Sequence, residues 1–274
     1  MRNSRPSHPA LSASRAKEYQ RCPLQFRLHV VDRIKATLLG TTVHSALENL
    51  YAAPRMQRDE ALAQSLLERE WKTTLEQDPT VMSLFTDHAD FERWYARMRS
   101  MISNYFKIEE PRALEPHSRE ALVEGTTQDG VHLLGYIDRV DRAPNGDLRV
   151  IDYKTGKAPS ERFQEEALFQ MRFYALLLSL TERLPKRTQL VYLASQKVLT
   201  FDPDPADIDR LSAQLGALWE QIRNDAVKEY FPPRKNPLCN WCGVQQLCPL
   251  FNGETPKIPQ EGLQRLLAVG PAPR

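Results

Sequence analysis

Three residues near the middle of the chain have the types and spacing to work on a phosphodiester: Asp138, Asp152 and Lys154. Asp152 and Lys154 lie two apart in a run that reads as a strand, so their side chains share one face. A carboxylate and an ammonium side by side on a sheet are poor core material unless they pair or bind something. Two acids beside a lysine suit divalent-metal chemistry: the acids hold Mg2+ or Mn2+, and the lysine steadies a water or a developing charge. Whether the acids converge depends on the turn between them. A two-residue Asn145-Gly146 turn would set Asp138 against Tyr153 and aim it away from Asp152. A three-residue Pro144-Asn145-Gly146 loop sets Asp138 opposite Asp152. Proline suits the first turn position and glycine the left-handed one, which favours the convergent register. Opposed carboxylates repel without a cation, so a metal is the natural third party. Asp141, three residues on from Asp138, is expected on the other face and outside the site.

The elements that must position these residues can be read on either side. Residues 1–10 are expected to be a mobile tail. Ser12 or Ser14 is placed to cap a helix running through Tyr19 towards Cys22-Pro23. Thr42 is a fair cap for a helix carrying His44, with Val43, Leu47, Leu50 and Tyr51 as its apolar stripe. Amphipathic helices over about 59–76 and 89–107 form a helical lobe, about residues 55–110, inserted before the sheet. Strands follow at 119–127, 131–142 and 148–153, then a helix at 161–181, strands at 188–194 and 198–202, and a helix at 205–224. The catalytic core is expected over about 117–202, and residues 253–274 as a loose tail. The fold class is mixed α/β (α+β).

Bulk composition excludes more than it assigns. At 274 residues, 41% hydrophobic and 26% charged, the chain has the make-up of a globular protein with a substantial core. A net charge of +2 gives no bulk attraction to nucleic acid, so any binding groove must be local. No apolar run reaches the roughly 20 residues of a membrane span, and no membrane association is expected. The Arg- and Ser-rich start flows into the Leu11–Phe26 motif and is taken as mature protein. The expected compartment is the cytoplasm, where four cysteines serve as ligands or free thiols rather than disulfides.

The run Asp138, hairpin, Asp152-Tyr153-Lys154-Thr155-Gly156 resembles the PD-(D/E)XK nuclease core, specifically its RecB-like branch. The resemblance covers about residues 11–250 and implies a single nuclease domain with a restriction-endonuclease-like sheet. Ile137 stands where the superfamily name has proline. A lone histidine is commonly a satisfied surface or core residue; the motif of Gly40 followed by His44 implies a metal ligand. Gln170 and Tyr174 share a helix face at i and i+4. In RecB-like nucleases such a pair borders the site, where it touches substrate or orients the lysine. The implied set is Asp138, Asp152 and His44 as ligands, the backbone carbonyl of Tyr153 as a further ligand, and Lys154 acting on the attacking water.

The cysteines add an independent signal. Cys22 stands alone near the start, and Cys239, Cys242 and Cys248 sit together in the region 231–250. Cys22 and Cys248 each precede proline, as cluster-ligating cysteines often do. One early and three late cysteines resemble the iron–sulfur branch of the family, which includes AddB-type and CRISPR-associated nucleases. That resemblance implies a 4Fe–4S cluster clamping the N- and C-terminal segments. Structural zinc on the same four thiolates is the alternative. The expected function is a metal-dependent DNA exonuclease on single-stranded or end-frayed DNA in recombination or repair. No phosphate-binding loop of a helicase motor is present, so a separate helicase or recombination partner is expected. The rival is a non-catalytic DNA-binding or assembly subunit. The complete Asp/Asp/Lys/His set argues against it.

Overall fold

The computed structural model describes residues 10–31, 41–161 and 164–267. Gly40, residues 1–9 of the expected tail and residues 268–274 lie outside the described residues. Five strands form one sheet in the order of the chain: β1 (Pro116–Thr126), β2 (His132–Arg142), β3 (Leu148–Lys154), β4 (Arg187–Tyr192) and β5 (Lys197–Phe201). All neighbours are antiparallel except β3 and β4, which are parallel. A parallel pair needs a crossover, and the helix α6 (Glu165–Ser179) supplies it.

Alternation along β3 divides the core into two layers. Leu148 and Val150 enter a cluster with α6, with α7 (Pro205–Val227), with α1 (Ala13–Arg21) and with Phe26 of α2 (Pro23–Phe26). Ile151 and Tyr153 enter a second cluster with α3 (Thr41–Ala52), α4 (Glu60–Gln77) and α5 (His88–Tyr105). In α3 the buried Val43, Leu47, Leu50 and Tyr51 fall on one side at helical spacing. The helices α4 and α5 begin at caps, Asp59 accepting from Leu62 N and Asp87 from Asp90 N. Trp71 of α4, Phe91 and Trp94 of α5 and Phe85 from the segment between the two helices form an aromatic stack.

Several expectations need correction. Ser12, not Ser14, caps α1, accepting from Arg15 N at 3.3 Å. Thr42 lies inside the first turn of α3 rather than at its cap. Ala10 is buried rather than loose, because Leu11 bridges to β2 through Leu11 N to His132 O at 2.8 Å. The segment 253–274 is not loose throughout. Residues Gln260–Leu267 form α8, and its Leu263 and Leu266 are buried against the α7 layer. Their i, i+3 spacing gives even this short helix one apolar face.

Candidate active site

Two similar hairpin loops build the site. Between β2 and β3, Gly146 N donates to Ala143 O and Ala143 N to Asp147 O, both at 2.8 Å. Pro144, Asn145 and Gly146 therefore form a three-residue loop, with Gly146 left-handed at φ +85°. The ladder runs from Arg142 opposite Leu148 to Arg139 opposite Ile151, and the next step sets Asp138 beside Asp152. Between β1 and β2, Gly130 N donates to Thr127 O at 2.9 Å and Thr127 N to Val131 O at 3.0 Å. Gly130 is also left-handed, at φ +78°. The resulting register pairs Arg119 with Arg139 and Ala121 with Ile137, which sets Glu120 across from Asp138.

Glu120, Asp138 and Asp152 thus stand abreast on three neighbouring strands. Glu120 is a residue the sequence reading missed. Its backbone is left-handed, at φ +40°, a conformation costing a non-glycine residue on the order of 1–2 kcal/mol. His44 closes the group from α3: its Nδ1 lies 3.4 Å from Asp138 Oδ1 and 4.0 Å from Glu120 Oε1. One ligand atom from each of His44, Glu120 and Asp138 falls within 4.8 Å of the others.

The remaining contacts hold the acids in place. Tyr153 N donates to Asp138 Oδ2 at 2.6 Å, which leaves the other oxygen of Asp138 towards His44. Gln170, on α6, donates to Asp152 Oδ1 at 3.0 Å and to the Tyr174 hydroxyl at 3.0 Å. Lys154 Nζ lies 2.6 Å from Asp152 Oδ2, a close ion pair. The phenol of Tyr153 lies in the opposite layer, its ring edge-on to the His44 imidazole at 6.4 Å between centroids. Asp141 is taken up elsewhere, 2.7 Å from Arg149 NH2 and 3.0 Å from Arg139 Nε.

Crowding of negative charge sets the proton affinities. Burial, then the neighbouring Asp138, push the Glu120 carboxyl up to about 7, with His44 opposing. Burial also raises Asp152, against the pull of Lys154. Burial works to lower His44, but its hydrogen bond to Asp138 and the charges of Asp138, Asp152 and Glu120 outweigh it and raise the imidazole. Tyr174 is pushed far up by burial and then by the Asp152 charge, and stays a neutral donor. A cluster that takes up protons to relieve repulsion is a cluster that a cation relieves better. The donors (carboxylate oxygens and one imidazole) fit Mg2+ or Mn2+, with imidazole favouring the latter.

Behind the acids lies a buried hub that sequence reasoning also missed. Arg139, only 1% exposed, donates to the hydroxyls of Tyr51 at 2.6 Å and Tyr153 at 2.5 Å. It also makes a two-pronged pair with Glu109 at 2.8 and 2.9 Å. Tyr51 sits two turns after His44 on α3, Tyr153 between Asp152 and Lys154, and Arg139 next to Asp138. One guanidinium therefore ties together the backbones that carry His44, both aspartates and the lysine.

The cysteines lie apart from this site. Cys22 and the short turns around Cys239, Cys242 and Cys248 line one cavity of about 170 Å3. Backbone N–H groups of Arg234 and Asn236 point to the Cys22 and Cys239 sulfurs, each at 3.3 Å. Among the described residues no three cysteine sulfurs come within 4.8 Å of one another. A zinc tetrahedron with Zn–S near 2.3 Å brings its thiolates to roughly 3.8 Å. The four thiols are therefore not gathered as a closed tetrahedral site.

Among the described residues no helix is long and apolar enough to cross a membrane. The "Gene 69 protein" of Mycobacterium phage D29 is 25% identical over 270 residues, covering 89% of this chain and 97% of the phage protein. The "Gene 69 protein" of Mycobacterium phage L5 is 31% identical over 127 residues, 45% of this chain and 41% of the relative. Among solved structures, a "Putative exonuclease" from Eubacterium rectale superposes with a TM-score of 0.51 at 14% identity, covering 85% of this chain and 86% of that one. That likeness is one of fold. The sequence profile of the PD-(D/E)XK nuclease superfamily matches residues 10–249, and the chain belongs to that superfamily.

Proposed function

We propose that this nuclease is a divalent-metal-dependent deoxyribonuclease that degrades single-stranded or end-frayed DNA from its ends, in recombination or repair. The observation that carries the reading is the alignment of Glu120, Asp138 and Asp152 with His44 on one side and Lys154 on the other. His44, Glu120, Asp138 and Asp152 would hold the metal, with the backbone carbonyl of Tyr153 as an added ligand. Bound there, Mg2+ or Mn2+ supplies charge that stabilises the anionic phosphate in the transition state and lowers the pKa of a water. Lys154 orients that water and carries positive charge towards the scissile phosphate. Gln170 keeps Asp152 from rotating, with Tyr174 behind it, and the Tyr153 N–H does the same for Asp138.

The cysteine cavity is read as the seat of a 4Fe–4S cluster. Support comes from four thiols around one cavity, two of them receiving backbone N–H groups. Cys22, Cys239, Cys242 and Cys248 would hold the cluster, which would clamp the two chain ends together. A separate helicase or recombination partner would open duplex DNA.

The test is digestion of one sequence presented as a 5′-labelled linear strand, a 3′-labelled linear strand and a closed circle, with Mn2+ and with EDTA. End-directed activity gives mononucleotides or short fragments from the linear strands, spares the circle and vanishes in EDTA. Cutting of the circle at the same rate would replace the exonuclease reading by an endonuclease one. No cutting of any form, with Asp152→Ala indistinguishable from wild type, would favour the non-catalytic binding subunit.

A further inference from the structure

The cysteine region displays a feature that neither hydrolysis nor metal binding requires. Trp241, between Cys239 and Cys242, is 80% exposed, the most exposed large apolar side chain among the described residues. An indole in water is costly to leave uncovered and offers a flat π-face. Leu238 and Leu250 stand beside the same cavity, about half exposed. Arg21 and Arg234 also line it, Lys235 is exposed next to Arg234, and no aspartate or glutamate lines it. The chain has no acidic residue at all between Glu229 and Glu254. In a protein of net charge +2, that is a local basic surface rather than a bulk one.

The surface is also connected to the active site. Arg21 ends α1 and pairs with Glu166 of α6 at 3.5 Å. One turn further along α6, Gln170 holds Asp152. Arg21 therefore stands near the start of the helix that leads to the site. An exposed aromatic with cations around it suits an unpaired strand, whose bases stack and whose phosphates pair. A protein partner would be expected to meet a larger continuous apolar patch ringed by mixed charges.

We infer that Trp241, with Arg21, Arg234 and Lys235, forms a base-stacking contact for single-stranded nucleic acid that holds the strand as it leads along α6 to the hydrolytic site. The inference rests on the nuclease reading but has its own readout. Binding of a fluorescent dT oligonucleotide is measured in Ca2+ for wild type, Trp241→Ala and Trp241→Phe, all purified with the cysteine region in its native state. Stacking of one base predicts that Trp241→Ala weakens binding about tenfold and that Trp241→Phe retains most of the affinity. Lys235→Gln should lessen the salt dependence by about one phosphate contact.

Hydrolysis of a small chromogenic phosphodiester in Mn2+ separates the two readings, because that substrate spans no distance to Trp241. Trp241→Ala should leave that rate unchanged, whereas Lys154→Ala should abolish it. Unchanged oligonucleotide affinity in Trp241→Ala, with Lys154→Ala inactive on the small ester, overturns the stacking surface alone. A small-ester rate untouched by Lys154→Ala overturns the nuclease reading instead. Normal oligonucleotide binding in Trp241→Ala, coupled to loss of association with a recombination protein, would reassign the patch to a protein partner.

Discussion

The acid cluster and the cysteine region are held together by opposite means. Around Asp138 nearly every polar group already has a partner: a backbone N–H, a glutamine, a lysine, and a buried arginine that fastens the strands from behind. Packed layers lie on both sides. Around Cys22 there is little beyond Leu24, Leu28 and Val244, and the rest is short turns. Its interior is a cavity lined by thiols. The first region is organised before any metal arrives, so a metal there adds charge to a finished frame. The second has only a small core of its own, and a bound group would enlarge it. Preorganisation serves chemistry, where ligand placement must be kept within fractions of an ångström. A region that needs only to join two chain ends can take its order from what it binds.

The sharpest way to probe the contrast is to remove chemistry without removing structure. Lys154→Ala or Asp152→Ala should lower cleavage by about a thousandfold or more, with oligonucleotide affinity nearly unchanged. Parallel loss of binding and cleavage would mean that the frame depends on these groups after all. Arg139→Met strikes the frame itself. It leaves the part-buried Glu109 and Asp141 with Arg149 as their remaining cation, which predicts about 3 kcal/mol of lost stability in urea unfolding. A loss below about 1 kcal/mol would show that the tyrosine hydroxyls and Arg149 suffice.

The cysteine region should respond differently. On the iron–sulfur reading, anaerobically prepared protein should be brown, and changing any one of the four cysteines to serine should bleach it and open residues 231–253 to protease. The main unfolding transition should move little. A Cys22→Ser variant that keeps its colour and its protease resistance would break the link between the chain ends.

The smallest effect concerns protons. Glu120 is held near 7 in the folded, metal-free protein, above the ordinary carboxylate range. A group with a raised folded pKa favours folding below its unfolded value, and that contribution is lost as pH rises through the folded one. Asp152 and His44, both raised, act in the same direction. In EDTA, therefore, the melting temperature should fall by a few degrees from about pH 5 to 8, less so in Glu120→Gln. Mn2+ should reverse the fall, releasing protons as it binds. A melting temperature that rises over this range in EDTA would contradict the crowded-acid picture.

How much of this could be read from sequence depends on whether a local rule governed each residue. Asp138 and Asp152 were legible because Pro144-Asn145-Gly146 dictates a loop type, and the loop type dictates a register. Glu120 was within reach of the same rule. Gln128-Asp129-Gly130 makes the same kind of loop, and counting back from it lands on Glu120. The signal was present, but strand β1 carries no motif to draw attention to it. Arg139 was not legible. Its partners come from α3, from Glu109 just after α5 and from two positions on the sheet, and no spacing along the chain foretells that they meet. The helix α8 was passed over because eight residues after a proline-rich stretch give too short a pattern to separate from a tail. Leu263 and Leu266 find their place only because α7 is there to receive them.

The two glycine-closed loops carry one further consequence. A sheet has something like a reading frame: each strand is in phase with the next only while the loop between them keeps its length. Inserting one residue at Asn145 or at Asp129 would delete no functional group and touch no metal ligand. It would still put one strand out of phase, sending Asp138 to the opposite layer from Asp152 or Glu120 to the opposite layer from Asp138. The acid cluster is therefore encoded as much in the length of two exposed turns as in its acids, and a single inserted residue there should be as silencing as the loss of an aspartate.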